Sequence, residues 1–584
     1  MSVRAAEKPD FWKLKGGGHE RQSWPMGTKM LNPITVEIVR NGLISAAEEM
    51  NAMLIRSAFT PIIYEMKDCA VAILDRDHKV LGQSSGLPIF LGNLEICSEY
   101  TERKFGRHIW REGDIWALND TYVVGTHLND VSVYAPIFFR GELFGFAVSR
   151  AHWLDIGGKD PGQSFDSTEI FQEGLRLPPT RVAIGGEINH DVVDVIEANT
   201  RLPKGVIGDL KAQIAAANVG SRRVVELLHK YGVEVVNDAK EMIFNQAESF
   251  ERAAIEAIAD GEYSAEGYVD DDGLGNSPLH VKMRVTVKGG DIEIDVTEAS
   301  DQAPGPINSG ASQTISACRV GFKYLFASDK PVNGGSFRSL SVKLREGSFL
   351  ACTSPAPANW YFSSLGLQID LLAKALANAM PDKVTAADYG DSNPVIMSGT
   401  DPRSGGIFID FECHVGGWGA FRGHDGVSGL INKVNGGLRD IPIEVCETRY
   451  PLRIREYCLR PDSGGAGQWR GGCGINKTYE MLSDNCSAGF WWERSITPAW
   501  GLLGGMHGRP PSVIVKSSEG REISRLKANG IKLKSGDLII CRSGGGGGYG
   551  DASQRDRNAV EDDIADGFIT RGGAIQDYGY EPKL

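Results

Sequence analysis

Long apolar runs are missing from this chain: no stretch approaches the roughly 18 consecutive apolar residues that a membrane-spanning helix needs. The first twenty or so residues carry no apolar segment followed by a small-residue cleavage site, so no secretory signal is expected and the cytoplasm is the expected compartment. An excess of basic charge is missing too. With 62 Lys and Arg against 75 Asp and Glu, the formal net charge of −13 argues against a nucleic-acid partner, which would require clustered cations. The ten cysteines include no Cys-x-x-Cys pair, which favours reduced, buried thiols over a disulfide framework or a cysteine-rich zinc site. No Gly-x-x-x-x-Gly-Lys-Ser/Thr loop occurs. The run Gly545–Gly550 formally matches Gly-x-Gly-x-x-Gly, but too little chain follows it to build a dinucleotide-binding domain.

What is present is an ordinary globular composition, 41% hydrophobic and 23% charged, with an unusual amount of glycine. The 72 glycines are about 12% of the residues against an average near 7%, so many tight turns and close backbone approaches are expected. Residues 1–30 are polar and without period and read as a mobile or partner-bound arm. After Asn32-Pro33, the spacing of Val36, Val39, Leu43, Ala47, Met50, Leu54 and Ala58 predicts a long amphipathic helix. Residues 69–82 read as a β-hairpin. Residues 204–259 read as two helices broken at Gly232, and 280–296 as alternating strands around a Lys288-Gly289-Gly290-Asp291 turn. The expected architecture is a large, multi-layer α+β fold, with long helices in the N-terminal half and a Gly-rich, β-rich C-terminal half. Its regions would be 31–260, bearing the hairpins and long helices, a β-rich 261–400, and a Gly-rich 401–584.

The most informative feature is a pair of His-x-x-Asp modules, His127-Leu128-Asn129-Asp130 and His152-Trp153-Leu154-Asp155. Between them, two apolar runs flank Arg140-Gly141, which predicts strand, turn, strand. A tight turn at Arg140-Gly141 would set Asp130 opposite Ala151 and Asn129 opposite His152, bringing the modules together. Imidazole and carboxylate groups converging in this way suit Zn²⁺, Mn²⁺ or Fe²⁺. The alternative is four polar residues in turn and cap roles at strand ends. Pro136 warns that its strand is an edge or bulged. Asp68, at the start of the first hairpin, is an acid/base candidate or else a cap. Gly82-Gln83-Ser84-Ser85-Gly86 matches a nucleophile elbow, but Leu87-Pro88-Ile89 does not read as the opening of a helix, so a Gly/Ser loop is expected. Asp425 and Arg470, in Gly-rich segments, would either line an anion site or make packing turns.

Taken together, the chain resembles the hydantoinase B/oxoprolinase family: B-type subunits of ATP-dependent hydantoinases, 5-oxoprolinase, caprolactamase, and the acetone and acetophenone carboxylases. The resemblance rests on Asn32-Pro33 and the helix after it, Gly125-Thr126-His127-Leu128-Asn129-Asp130, Arg150-Ala151-His152-Trp153-Leu154-Asp155-Ile156-Gly157-Gly158 and Glu173-Gly174-Leu175-Arg176-Leu177-Pro178-Pro179. It continues through Pro442-Ile443-Glu444-Val445-Cys446-Glu447, the segment from Asp462 to Gly474, and Gly544 to Asp551.

The resemblance implies His127, Asp130 and His152 as ligands of a divalent metal, and Asp155 and Asp68 as supporting or acid/base groups. It also implies an A-type partner subunit carrying the ATP-Mg site, hence a hetero-oligomer. The implied activity is ATP-dependent opening of a cyclic amide such as a hydantoin, oxoproline or lactam, with a ketone carboxylase as the alternative and a non-catalytic assembly subunit with a structural metal as a second. Two departures leave the substrate open. The second module reads His-Trp-Leu-Asp where many relatives have His-His-Ala-Asp, and Glu65-Met66-Lys67-Asp68-Cys69 stands where many have an Arg-rich version.

Overall fold

Asn32 opens the first helix, its side chain accepting the Ile34 N–H while Pro33 takes the first helical position, and the helix runs over Pro33–Ser57 as its periodicity predicts. The computed structural model describes residues 31–581; the arm expected at 1–30 lies outside them. The stripe Val36, Val39, Leu43, Ala47, Met50 and Leu54 is buried, packed on the helix Pro203–Tyr231 and on the first hairpin. Gly220 permits the helix–helix approach, because a Cβ there would lie 2.2 Å from the Met50 sulfur. Gly232, at φ 81°, separates Pro203–Tyr231 from the helix Val233–Glu256, as expected.

Among the described residues, the N-terminal region forms an antiparallel seven-stranded sheet ordered β2-β1-β5-β4-β3-β6-β7. Its strands are β1 (Cys69–Asp75), β2 (Val80–Gln83), β3 (Ile115–Leu118), β4 (Asp130–Phe139), β5 (Glu142–His152), β6 (Thr180–Ile184) and β7 (Glu187–Ile188). A second sheet is ordered β11-β10-β9-β8, from β8 (Gly261–Val269), β9 (Leu279–Lys288), β10 (Asp291–Ala299) and β11 (Leu340–Lys343). The rest of the chain supplies β12 (Pro394–Thr400), β13 (Ile407–Cys413), β14 (Leu452–Leu459), β15 (Ile475–Met481), β16 (Cys486–Trp491), β17 (Ser512–Lys516), β18 (Glu522–Ser524), β19 (Lys527–Leu533) and β20 (Leu538–Arg542). These make one sheet ordered β13-β12-β16-β19 and another ordered β14-β15-β20-β17-β18. The fold is the large mixed α+β type expected from the sequence.

The β4–β5 hairpin turns on two residues, Arg140 at φ 53° and Gly141 at φ 82°, the pair of left-handed residues that matches strand twist. Its register differs from the sequence expectation by one residue. Phe139 faces Glu142 and Phe138 faces Leu143, but Ile137 then faces Gly145, so Phe144 is an extra residue in β5. This bulge carries Asp130 opposite His152 instead of Ala151. Asn129 moves off the ladder and binds Trp153 through both backbone and side chain. β4 is not an edge strand: β3 covers it from Ser132 to Tyr134, and Pro136 lies beyond that pairing.

Two further expectations are corrected or resolved. A one-turn helix, Pro88–Leu91, does follow Gly86, yet among the described residues the Ser84 hydroxyl donates only to the Ser85 carbonyl and meets no histidine. Asp425 accepts from Arg555 and from the Arg470 backbone, while the Arg470 guanidinium binds Asp563, so these groups tie the C-terminal segment down.

The Gly-rich stretches pack against one another as extended backbone outside the four sheets. Gly417 donates to Gly544, Gly465 to Gly546, Gly546 to Gly472, Gly547 to Ala387 and Leu502 to Gly548. A Cβ on Gly545 would fall 1.8 Å from the Ser463 carbonyl oxygen, and one on Gly547 would fall 2.0 Å from that of Trp500. The Gly-x-Gly-x-x-Gly match is thus a packing element. Gly545→Ala is expected to cost more than about 3 kcal/mol, since rigid backbone lies on both sides. Gly572→Ala, in a helix with nothing nearer than 3.6 Å, should instead stabilise by roughly 0.5 kcal/mol. Urea denaturation of both variants checks this, and equal stabilities would contradict it.

Candidate metal centre

Because β4 begins at Asp130 and β5 ends at His152, the corrected register puts these two side chains on directly opposed residues. His127 comes from the turn that precedes β4, after Gly125 (φ 86°) closes a short helix. Three ligand atoms meet. His127 Nε2 lies 2.9 Å from Asp130 Oδ1 and 3.0 Å from His152 Nδ1, and His152 Nδ1 lies 3.1 Å from Asp130 Oδ1. All three residues are buried, at most 1% exposed.

Two imidazole nitrogens 3.0 Å apart share one carboxylate oxygen, and a cation between them would use a lone pair of each. The surroundings hold the outer atoms. The Tyr361 hydroxyl donates to Asp130 Oδ2 at 2.9 Å, leaving Oδ1 for the cluster. His127 Nδ1 sits 3.2 Å from the Asn359 carbonyl and 2.7 Å from the Gln163 amide. A proton on Nδ1 donated to the Asn359 carbonyl leaves Nε2 with a free lone pair. Three buried polar atoms nearby, Asp68 Oδ1, His152 Nε2 and Gln163 Oε1, have no partner among the described residues. The donor set of two nitrogens and one oxygen fits a zinc, iron or manganese ion.

Charge follows the same geometry. Burial raises the Asp130 pKa, but the His127 and His152 imidazoles outweigh it and hold the carboxyl well below its ordinary range. Burial lowers His152, which favours the neutral ring that a metal ligand would require. Asp68 belongs to this cluster: its carbonyl accepts the His152 N–H at 3.1 Å, and burial with the nearby Asp130 charge pushes its carboxyl well upward. Asp155 is engaged elsewhere. Its carboxylate takes Arg201 at 2.9 Å, the Arg201 N–H at 2.6 Å and the Thr200 hydroxyl, closing the loop after β5. Trp153, the departure from the usual second histidine, donates to Gln213 on the helix Pro203–Tyr231 and so faces away from the triad. A cavity of about 690 Å³ opens beside Lys67 and Cys69, lined also by Glu48, Asn51 and Arg439, with no triad residue on its wall.

Tyr361, Asn359 and Gln163 carried no sequence signal as site residues, since Asn359 and Tyr361 reach His127 and Asp130 from more than 200 residues away. Glu173 is legible in the sequence only as the first residue of the Glu173-to-Pro179 motif. It fixes this segment by accepting the Ala358 and Asn359 N–H groups and the Ser167 hydroxyl.

A model of the hydantoinase B/oxoprolinase family matches residues 32–552. This chain belongs to that family. It is 32% identical over 94% of its length to a chain from Pseudomonas sp. (strain NS671) provisionally named as the B-type component of a D-/L-hydantoinase, covering 95% of that chain. The crystal structure of ATP-dependent caprolactamase from Pseudomonas jessenii superposes with a TM-score of 0.88 at 29% identity, covering 95% of this chain and 97% of that one. Acetone carboxylase in its nucleotide-free form shares the fold, with a TM-score of 0.86 at 20% identity over 94% of this chain and 79% of the other. Among the described residues, no helix is long and apolar enough to cross a membrane.

Burial raises the Glu173 carboxyl to about 8. The folded chain therefore retains a proton that the unfolded chain releases near pH 4.5. Stability linked to Glu173 is complete below that value and is lost as pH rises through about 8. Glu173→Gln, which keeps the accepting oxygen, should flatten the fall in Tm between about pH 5 and about pH 9. A variant whose Tm profile parallels the wild type would show that Glu173 does not carry this linkage.

Proposed function

We propose that this chain is the B-type subunit of an ATP-dependent, metal-containing amidohydrolase that opens a cyclic amide, such as a hydantoin, oxoproline or lactam, together with an ATP-binding A-type subunit. The observation that carries the reading is the convergence of His127 Nε2, Asp130 Oδ1 and His152 Nδ1 within 3.1 Å of one another in a buried cluster. The absence of any phosphate-binding loop agrees with a nucleotide site on another chain. A divalent cation held by these three groups supplies Lewis acidity toward a carbonyl oxygen or a water molecule.

The remaining chemistry belongs to the protein. Tyr361 orients Asp130 through Oδ2, and Asn359 with Gln163 sets the His127 ring. Burial pushes the Asp68 carboxyl upward, and Asp68 is the acid of this reading, giving its proton to the leaving amide nitrogen. Asp155 acts at a distance, ordering the loop after β5 through Arg201. The ketone carboxylase is the second reading, favoured by the fold shared with acetone carboxylase.

Metal analysis of the chain co-expressed with its A-type partner tests the proposal, alongside ATP-dependent turnover of hydantoin, lactam and aryl-ketone substrates. His127→Ala should lose one equivalent of metal and turnover together. Asp68→Asn should keep the metal while kcat falls by about 10²–10⁴. Full turnover in His127→Ala would reduce the chain to an assembly subunit, and carboxylation of the ketone would select the second reading.

A further inference from the structure

Residues alternate along β13, and its two faces meet different surroundings. Phe411 packs its ring 5.2 Å from that of His152, on the side of the triad. Asp410 and Glu412 project to the opposite side, where the helix Ile443–Arg449 brings Cys446. There the Cys446 sulfur lies 3.4 Å from Glu412 Oε1 and 4.0 Å from Asp410 Oδ2. All three residues are buried, between 0% and 2% exposed. Their ligand atoms lie within 4.8 Å of one another.

The partners of Glu412 are divided. Its Oε2 takes the Lys477 ammonium at 2.7 Å and the Tyr479 hydroxyl, while Oε1 turns to the cysteine. Asp410 has no such support: Oδ1 has no partner among the described residues, and Oδ2 has only the distant sulfur. A fully buried carboxyl aimed at a thiol and a second carboxylate, with no donor of its own, is costly unless something else occupies the centre.

We propose that Asp410, Glu412 and Cys446 form a second divalent-cation site, structural in role and suited to zinc, that pins β13 to the helix Ile443–Arg449. Sulfur–oxygen distances of 3.4 and 4.0 Å are close to those between ligands that share a four-coordinate ion with bonds near 2.0–2.3 Å. One thiolate with two carboxylates selects a borderline cation over magnesium or calcium. Binding releases the Cys446 thiol proton and the Asp410 carboxyl proton to solvent. Charge then balances, because three deprotonated ligands, a divalent cation and the Lys477 ammonium are together neutral. Asp440, partly exposed, lies 4.0 Å from the same ammonium and supplies no ligand atom to the cluster. Without a cation, burial and the neighbouring carboxylates push both the Cys446 thiol and the Asp410 carboxyl upward. The consequence for the family site is mechanical: this ion would fix the strand whose other face carries Phe411 against His152.

Cobalt(II) loading of the chelator-stripped, full-length chain tests the site. A thiolate-to-cobalt charge-transfer band in the near ultraviolet can come from Cys446 but not from the sulfur-free triad, so the outcome is independent of the triad's own metal. The wild type should show the band. Cys446→Ser should lose it with one equivalent of cobalt, and His127→Ala should keep it. Asp410→Asn, nearly identical in shape, should weaken cobalt binding at the band-forming site by at least about tenfold. A folded wild type without the band, a band that persists in Cys446→Ser, or unchanged affinity in Asp410→Asn would each overturn the proposal.

Discussion

The pairing of Asp130 with His152 across the β4–β5 hairpin is the constraint on which the site depends. A one-residue slip in an antiparallel pair sends every side chain of one strand to the opposite face. Here the register at the far end of the hairpin is set by the Arg140-Gly141 turn, and the register at the site by the bulge at Phe144. The turn alone would leave Asp130 against Ala151. The bulge at Phe144 corrects the alignment well before the strand reaches His152, and the burial of both strands makes that correction rigid.

Around this pair the fold assembles groups from distant parts of the chain. His127 arrives on a turn, Asp68 at the start of β1 beside Cys69, which pairs with Ala151, and Tyr361 and Asn359 on the segment leading into the helix Phe362–Ala375. Glu173 clamps that segment by its backbone. Phe411 comes from a different sheet and lies against His152. The C-terminal glycine array joins the later segments by backbone hydrogen bonds at distances that exclude a side chain, so residues from about 387 to 548 converge in one packed unit. Much of the unusual glycine content is explained by this packing.

The local elements were legible because each has a period or a punctuation mark. The stripe from Val36 to Leu54, Gly232 between two helices, and the alternation in β9 and β10 all appear where their patterns place them. The triad was legible in kind, since two His-x-x-Asp modules flanking a hairpin must approach one another. Its register was not, because Pro136 and Gly145 mark the stretch where the bulge falls without saying which strand gains the extra residue. Trp153 read as a departure at the site, yet its indole serves the contact with Gln213. Asp155 read as a twin of Asp130, but Arg201 and Thr200 take its carboxylate.

By itself, the sequence determined the α+β class, the long helices, the hairpin between the two modules, and the His and Asp residues that meet. Periodicity, turn chemistry and short spacing are properties of neighbouring residues, and they survive without knowledge of the rest of the chain. Only the tertiary structure decided which acid faces which imidazole, that Asp68 joins the cluster while Asp155 binds Arg201, and that Tyr361, Asn359 and Gln163 surround it. It also decided that Asp410, Glu412 and Cys446 share one centre. These are contacts between segments tens to hundreds of residues apart, and burial, which sets their charge states as well as their partners, exists only once the layers have closed.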